Sequence, residues 1–558
     1  MSLPTEKVFT LIVGGGPVGL TTALILARYG YESLVLERHA ERMDQPKAHV
    51  LNPRTLEIYR QLGIDIAPLR EAGVPPHEAD VVRFVTSMRD IEFGLIDRAK
   101  DNDLSISPEA IFNVAQPFLE DHLLKAATAS GKVSYLRMYE WQACFQEDDQ
   151  SIVSSILCRK TDTVVKIKSK YLIGCDGAKA RSRSALGIQF DPLFGSQQRV
   201  LHYASIHFRA DLSHFKTGLI WFIMNPKRMS AFIAYNRRNS WVYFTQYDPE
   251  VTPKSIFTSE YMRDLVFQVS RIIEDVTQSD IFQGVGRPVP DYTEIGITLW
   301  TTSPQLARTY RSECIPNAFL AGDAAHSFPP TGGLGLNTGV ADVQNLVWKI
   351  QAVEQGWATE AFLDTVTAER LPVAKENCRQ SKENEDKIFH LVHTIFKPGC
   401  TAEELIADPV SRQQIQSAIA ENREHFNSFN LQLGYVYGQP FSRGPSDYQK
   451  ELVRGARLPH FWVEERGQAI STLDLVDGMS FVLVCDSTFT ELSWLTCSNV
   501  PVAIKQSGKD FDDRVGAWTE YLEDLGVRAV LVRPDHHIVD RVSRIEEVGE
   551  MLQIYLST

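Results

Sequence analysis

The sequence predicts an α/β protein of several domains, and three observations carry that expectation. The chain opens with an apolar strand, a glycine turn, a helix and a second strand. Two later apolar strands each end in an aspartate, and the second of these leads into a long helical stretch. The last hundred or so residues again alternate strands with a helix. At 558 residues the chain is too long for one hydrophobic core. Its 44% hydrophobic and 23% charged residues are ordinary globular composition, which excludes fibrous and disordered classes. A net charge of −13 argues against broad nucleic-acid binding, which needs a positive face. The eight cysteines are scattered, without a CxxC pair or zinc spacing, so the expectation is a reduced, cytoplasmic protein with no metal site. Phe9 to Ala27 has the length of a membrane span, but four glycines and a proline interrupt it.

Val8 to Val13 is the first strand, and Gly14-Gly15-Gly16-Pro17-Val18-Gly19 follows it. Leu20 to Tyr29 reads as a helix, and Leu34-Val35-Leu36 reads as a strand tipped by Glu37. In such a unit Gly14 permits the tight turn, Gly16 admits a pyrophosphate, and Gly19 lets helix and strand pack closely. The helix start offers free N–H groups to phosphate. Glu37, 18 residues after Gly19, stands where a carboxylate accepts ribose hydroxyls. Gly14, Gly16, Pro17, Gly19, Glu37 and its neighbour Arg38 are therefore candidate dinucleotide ligands, and this motif alone does not separate NAD from FAD.

Lys170 to Cys175 reads as a buried strand ending in Asp176-Gly177, and Asn317 to Gly322 as another ending in Asp323. Ligands of open α/β sheets sit outside the carboxyl ends of strands, where both aspartates fall. After Asp323 come His326, Pro329-Pro330-Thr331-Gly332-Gly333-Leu334-Gly335-Leu336-Asn337 and a helix over 338–355.

Together these pieces resemble the class A flavoprotein aromatic hydroxylases, the family of para-hydroxybenzoate hydroxylase, phenol hydroxylase and the aromatic-polyketide hydroxylases. The matching motifs are Gly14 to Gly19, Cys175-Asp176-Gly177, Gly322-Asp323-Ala-Ala-His326 with its Pro-Pro-Thr-Gly-Gly tail, Asp342-Val-Gln-Asn345-Leu-Val-Trp348-Lys349, Arg54-Thr-Leu-Glu57 and the helix start at Gln116. The resemblance spans nearly the whole chain. It implies FAD on a Rossmann-like domain of the GR2 type, with NAD(P)H as co-substrate. It places Asp323 on the ribityl chain, Gln116 and Arg54 near the FAD, and Gly335, Leu336 and Asn337 against the flavin pyrimidine ring. It also puts the Pro330 carbonyl near the substrate. Ala180 stands where the family usually has Ser, and Lys47 where many members have Arg. His49 and Lys47 are candidates for a catalytic role at the flavin edge, and His326 reads as structural.

The boundaries that follow are a first FAD-binding part over 1–190, with substrate-side segments near 80–110, and a substrate-binding sheet over 191–300. A second FAD-binding part with helices covers 301–440, and a C-terminal domain covers 450–558. Aromatic, alternating strands between 199 and 247 predict an antiparallel sheet that roofs a pocket. Tyr203, Trp221, Tyr235, Arg237 and Tyr243 are its candidate lining residues, and strand parity alone does not assign the faces. The C-terminal pattern resembles the thioredoxin-like domain of phenol hydroxylases, yet Cys485 and Cys497 are twelve residues apart, which argues against thiol exchange.

The resemblance implies a monooxygenase that hydroxylates a phenolic or polycyclic ring through a flavin C4a-hydroperoxide, with O₂ and a small aromatic substrate as partners. Epoxidation, dearomatisation and Baeyer–Villiger insertion share every motif, and an FAD-carrying homologue that only shields an intermediate is the non-catalytic alternative. A homodimer stays open.

Overall fold

The computed structural model describes residues 6–41, 48–99, 103–191, 200–224, 229–267, 285, 291–396, 400–489 and 499–557. In chain order the first region contains β1 (Lys7–Val13), α1 (Pro17–Arg28), β2 (Ser33–Glu37), β3 (Val50–Leu51), α2 (Pro53–Gln61), α3 (Ala67–Ala72) and α4 (Pro76–Ala79). It continues through β4 (Val81–Val85), β5 (Glu92–Asp97), β6 (Phe112–Asn113), α5 (Gln116–Ala129), β7 (Val133–Arg137), β8 (Tyr139–Gln146), β9 (Ile152–Cys158), β10 (Thr163–Gly174) and α6 (Arg181–Ala185). The main sheet runs β7-β2-β1-β10-β9-β8, and β18 (Ala318–Leu320) also pairs with β10. Within it β7, β2, β1, β10 and β18 are mutually parallel. Leu36, Val13, Gly174 and Leu320 lie in one row across these strands. Glu37, the glycine turn, Asp176 and Asp323 consequently emerge from the same edge of the sheet.

The middle of the chain adds β11 (Phe190–Asp191), β12 (Leu201–Arg209), β13 (Ile220–Ile223), β14 (Ser230–Asn236), β15 (Ser240–Tyr247), α7 (Ser259–Phe267), β16 (Thr293–Thr302), β17 (Gln305–Ala307) and β19 (His326–Ser327). A second sheet runs β16-β12-β15-β14-β13-β4-β5, so the hairpin at 81–97 completes it from the first region. Side chains alternate across its two faces. Trp221, Tyr243, Phe232, Trp241 and Ile206 share the face covered by Met262, Val266 and Phe267 of α7. On the other face His207 is opposite Val242, and Val242 is opposite Ile233. That second face meets helices at one end, where Tyr203 stacks on Trp300 at 4.3 Å, and Ala115 of the first region at the other, where Tyr235 and Val242 cluster with it.

Helices α8 (Leu334–Glu354) and α9 (Thr365–Ile395) follow, then α10 (Ala402–Ala407), α11 (Pro409–Glu421) and α12 (Phe429–Leu433). The C-terminal unit carries the hairpin β20 (Trp462–Glu465)–β21 (Gln468–Ser471) and β22 (Phe481–Cys485), β23 (Val502–Gln506), α13 (Ala517–Asp524), β24 (Ala529–Val532), β25 (Ile538–Val542) and α14 (Glu547–Leu556). Its sheet order is β23-β22-β24-β25, with β22 and β23 parallel and β24 and β25 antiparallel to their neighbours, a thioredoxin-like arrangement. Cys485 is buried in β22 and burial pushes its thiol up to about 12, which disfavours the thiolate, and Cys497 lies outside the described residues. Among the described residues no helix is long and apolar enough to cross a membrane.

The C-terminal unit is joined to α2 by buried charge. Glu57 accepts from Arg457 Nε at 2.9 Å and Nη2 at 2.7 Å, from Arg54 Nη1 at 3.1 Å and from Ser107 Oγ at 2.7 Å. Burial alone would raise the Glu57 carboxyl, but Arg457 and Arg54 override it and hold it at about 2. A folded-state value below the ordinary carboxylate range means that this contribution is complete above the unfolded value of about 4.3 and is lost as pH falls toward 2. Glu57→Gln strands two buried guanidinium groups, and we expect it to cost about 3 kcal/mol in urea unfolding at pH 7. The difference from the parent protein should shrink as pH is lowered below 4. An equal difference at pH 7 and pH 3 would contradict the charge argument.

Candidate active site

The glycine turn shows which of its glycines serve the chain and which leave room. A Cβ at Gly14, whose φ is +111°, would stand 2.3 Å from the Cys175 carbonyl oxygen, and one at Gly19 would stand 2.0 Å from the Gly14 carbonyl oxygen. A Cβ at Gly16 would meet nothing nearer than Glu120 Oε1 at 4.0 Å. Packing requires the first two, whereas the open space over Gly16 suits an approaching phosphate. Pro17 begins α1, and no side chain caps the helix, so its first N–H groups and its positive end face that space. Glu37 accepts from Gly15 N–H at 3.3 Å and His39 N–H at 2.9 Å, which fixes the carboxylate beside the turn. Arg38 is exposed next to it. Gln116 accepts from Ala48 N–H at 3.1 Å and donates to Glu120 at 2.7 Å, on the same side of the turn.

A second set of donors lies at the start of α8. Gly333 is left-handed (φ +62°), Pro330 O accepts from Gly333 N–H at 3.1 Å, and no side chain caps the helix. The N–H groups of Leu334, Gly335 and Leu336 precede any intrahelical acceptor. The exposed Asp323 points at this helix start, since its Oδ1 lies 3.6 Å from where a Gly335 Cβ would stand. The loop that carries it is pinned by Asp342, which accepts from Gly322 N–H at 3.2 Å and His326 Nε2 at 2.8 Å and is paired with Arg370 at 2.8 Å. His326 is fully buried in this pinning, as a structural group.

Between the helix start and the second sheet stands His49. Val50, the next residue, donates no side-chain bond, but its carbonyl accepts from Asn337 Nδ2 at 3.0 Å, and its Cβ would sit 3.0 Å from a Cβ at Gly333. On the opposite side the His49 ring meets Tyr235 edge to face at 5.4 Å. Its Nδ1 bonds Asn113 Oδ1 at 3.1 Å. His207, bonded through Nε2 to Ser240 Oγ at 3.1 Å, flanks the other side of Tyr235 at 6.3 Å.

Comparison with known proteins fits this geometry. Residues 7–381 match the model of an FAD binding domain, and residues 452–556 match that of the aromatic-ring hydroxylase C-terminal domain. The chain belongs to the FAD-dependent aromatic-ring hydroxylases. It is 29% identical to 2,4-dichlorophenol 6-monooxygenase of Cupriavidus pinatubonensis, over 97% of this chain and 94% of that protein. Tetracenomycin A2 monooxygenase-dioxygenase of Streptomyces glaucescens is 27% identical, over 98% and 96%. The solved structure of the flavin-dependent monooxygenase PieE with FAD and substrate superposes with a TM-score of 0.84 at 28% identity, covering 99% of this chain and 100% of that one. The hydroxylase is thus a flavin-dependent monooxygenase with the fold that its sequence motifs imply.

The residues present fit FAD: open space at Gly16, a fixed carboxylate at Glu37, and an exposed carboxylate beside uncapped helix donors at Asp323. Several expected ligands of this hydroxylase are engaged elsewhere. Arg54 is buried and donates to Gln344, His536, the Asp535 carbonyl and Glu57, which ties its Nη atoms to the junction with the C-terminal domain, while its buried Nε has no partner among the described residues. The Asn337 side chain is consumed by Val50, Gly333, Asn52 and Thr55, which leaves only its backbone near the helix start. Asp176 sits beside Gly14 but accepts from Ser182 N–H and Oγ, holding α6. Among the lining candidates, Trp221 and Tyr243 face α7, and Tyr203 packs among helices. Arg237 ties the carbonyls of Ser213, Phe215 and Lys216 and pairs with Glu78. Tyr235 alone of the five reaches the junction with His49. Asn113 and His207 complete this cluster without any motif to announce them; only the pairing of β3 with β6 and the parity of β12 identify them. Lys47 lies outside the described residues.

Asp323→Ala removes a charged acceptor from the edge where the helix donors converge. We expect FAD affinity to fall roughly 10- to 100-fold, as befits one charge-assisted hydrogen bond, measured by fluorescence titration. Tight stoichiometric FAD in that variant would remove the assignment.

Proposed function

We propose that the enzyme hydroxylates the ring of a bulky, largely apolar phenol, and that His49 receives the hydrogen bond of the substrate's phenolic hydroxyl. One O₂ and one NAD(P)H would be consumed per product, one oxygen atom entering the ring and the other leaving as water. Bound FAD supplies the oxygen activation, and the chain supplies placement. The observation that carries this reading is the position of His49, joined through Val50 to the start of α8 on one side and against Tyr235 of the second sheet on the other. A ring held there lies between the edge that offers donors and the apolar row of Ile233 and Val242. The apolar row of Ile233 and Val242, with Arg237 turned to loop carbonyls, favours a largely apolar ring. The relatives named above, for a dichlorophenol and for tetracenomycin A2, are consistent with an aromatic substrate.

The protonation state of His49 follows from its surroundings. Burial, against the opposing bond to Asn113 and with a smaller push from nearby Arg98, lowers its pKa to about 4. It is neutral at pH 7. With Nδ1–H given to Asn113 Oδ1, Nε2 is left as an acceptor for a phenol. Asn113 sets the tautomer, and Tyr235 presses on the ring that carries it. Because the neutral form is the competent one, His49 should contribute no loss of kcat/KM as pH falls from 8 to 5.5, and should fail only as pH approaches 4.

His49→Ala should retain FAD and lower turnover by about 100-fold, the usual scale for a group that receives a reacting proton. The measurement is O₂ uptake and NAD(P)H oxidation over a panel of phenols, with ¹⁸O₂ to show one labelled oxygen in the product. Unchanged turnover in His49→Ala would reject its role. Peroxide released in place of a labelled product, across the panel, would reject the hydroxylase reading for phenols.

A further inference from the structure

We infer that the C-terminal domain positions the flavin through the turn between β24 and β25, with His536 as the positioning residue. The inference rests on the reading that the start of α8 faces the flavin ring. The turn Arg533–His537 is buried under the first region, not displayed on the C-terminal surface. It grips Arg54 of α2 at two points: Arg54 Nη1 meets His536 Nδ1 at 3.1 Å, and Nη2 donates to the Asp535 carbonyl at 2.7 Å. Gln344 of α8 accepts from the same Nη2 at 2.8 Å and donates to Gln61, which in turn donates to the Pro534 carbonyl at 2.9 Å. Trp348 of α8 reaches Asp535 Oδ2 at 3.1 Å.

From Arg54 the contacts lead directly to the helix start. The first turn of α2 holds Asn337, whose Oδ1 accepts from Asn52 N–H at 3.0 Å and Thr55 Oγ1 at 2.7 Å. Asn337 Nδ2 then donates to the Gly333 carbonyl at 2.7 Å and to the Val50 carbonyl at 3.0 Å. Gly333 precedes the three uncapped donors, and Val50 follows His49. Close packing does not fix this corner by itself, because a small cavity lies beneath it, lined by Arg54, Asn337, Leu334, Thr338 and Tyr435. Directional bonds through α2 and Asn337 therefore set where the donors stand. His536 is the part of the chain's far end that meets Arg54 with a side chain. Burial and the neighbouring Arg54 push its pKa down to about 3, so it is neutral, with Nδ1 accepting from Arg54.

The test uses the full-length holoenzyme with His536→Ala and His536→Asn, since Asn Oδ1 can take the place of Nδ1 as acceptor for Arg54. FAD affinity and the positions of the flavin absorption bands are the readouts. His536→Ala should weaken FAD about tenfold, the scale of one buried hydrogen bond to a charged group, and shift the bands. His536→Asn should restore both. A folded His536→Ala protein with unchanged affinity and bands would overturn the proposal, as would failure of Asn to rescue. If His536→Ala does not accumulate, Gln344→Ala, which removes the side-chain partner of Arg54 Nη2, is expected to give the same two changes, and its silence overturns the proposal equally. Gly335→Val separates this from the reading beneath it. If Gly335→Val moves the bands and His536→Ala does not, the coupling alone is wrong; if neither moves them, the flavin does not lie at α8.

Discussion

The carboxylate of Asp342, only 1% exposed, accepts from the backbone before Asp323, from His326 and from Arg370 of α9. Burial opposes its charge, and Arg370 with His326 holds its pKa low nonetheless. A buried carboxylate of this kind is stable only while every partner is in place, so the loop, α8 and α9 adopt one relative arrangement or none. The cofactor edge depends on that arrangement, because Asp323 and the α8 donors come together only when the loop is pinned to the helix. The rest of α8 extends the same logic. Asn345 and Lys349 bond Glu369, which Arg533 also pairs, so one helix touches the cofactor edge and the C-terminal domain at once.

The two sheets divide the work by face. The main sheet brings four strand ends to one edge through a single row of register, and that edge is polar. The second sheet turns one face to α7 and keeps the other for the helices and for the junction at Tyr235. His49 belongs to neither sheet, yet the short β3–β6 pair fixes it between them, with Val114 N–H donating to the His49 carbonyl at 2.8 Å. Residues far apart in sequence are thereby held together at this junction.

What the sequence makes legible is local. Gly14, Gly16, Gly19, Glu37 and Asp323 are readable because a strand, its turn and the next residues determine their positions together. Arg54 and Asn337 match family positions, but their side chains are claimed by residues hundreds of positions away, such as His536 for Arg54 and Asn52 for Asn337. No periodicity reports such claims. The aromatic strands announce a sheet without announcing its faces: Tyr243 and Val242 are adjacent in sequence and point to opposite sides, and only the cover of α7 decides which side meets the site. His207 looks like any strand histidine until its row is known.

The most direct measurement is FAD binding by Asp342→Asn, which keeps the shape of the side chain and removes the charge that Arg370 answers. Titration of the variant apoprotein with FAD, alongside circular dichroism to verify that both sheets remain folded, isolates the role of that one carboxylate. FAD affinity should fall at least about 100-fold in a folded protein, because a buried guanidinium left without its partner displaces the loop that carries Asp323. Parental affinity in Asp342→Asn would show that the cofactor edge stands without this network and would contradict the account.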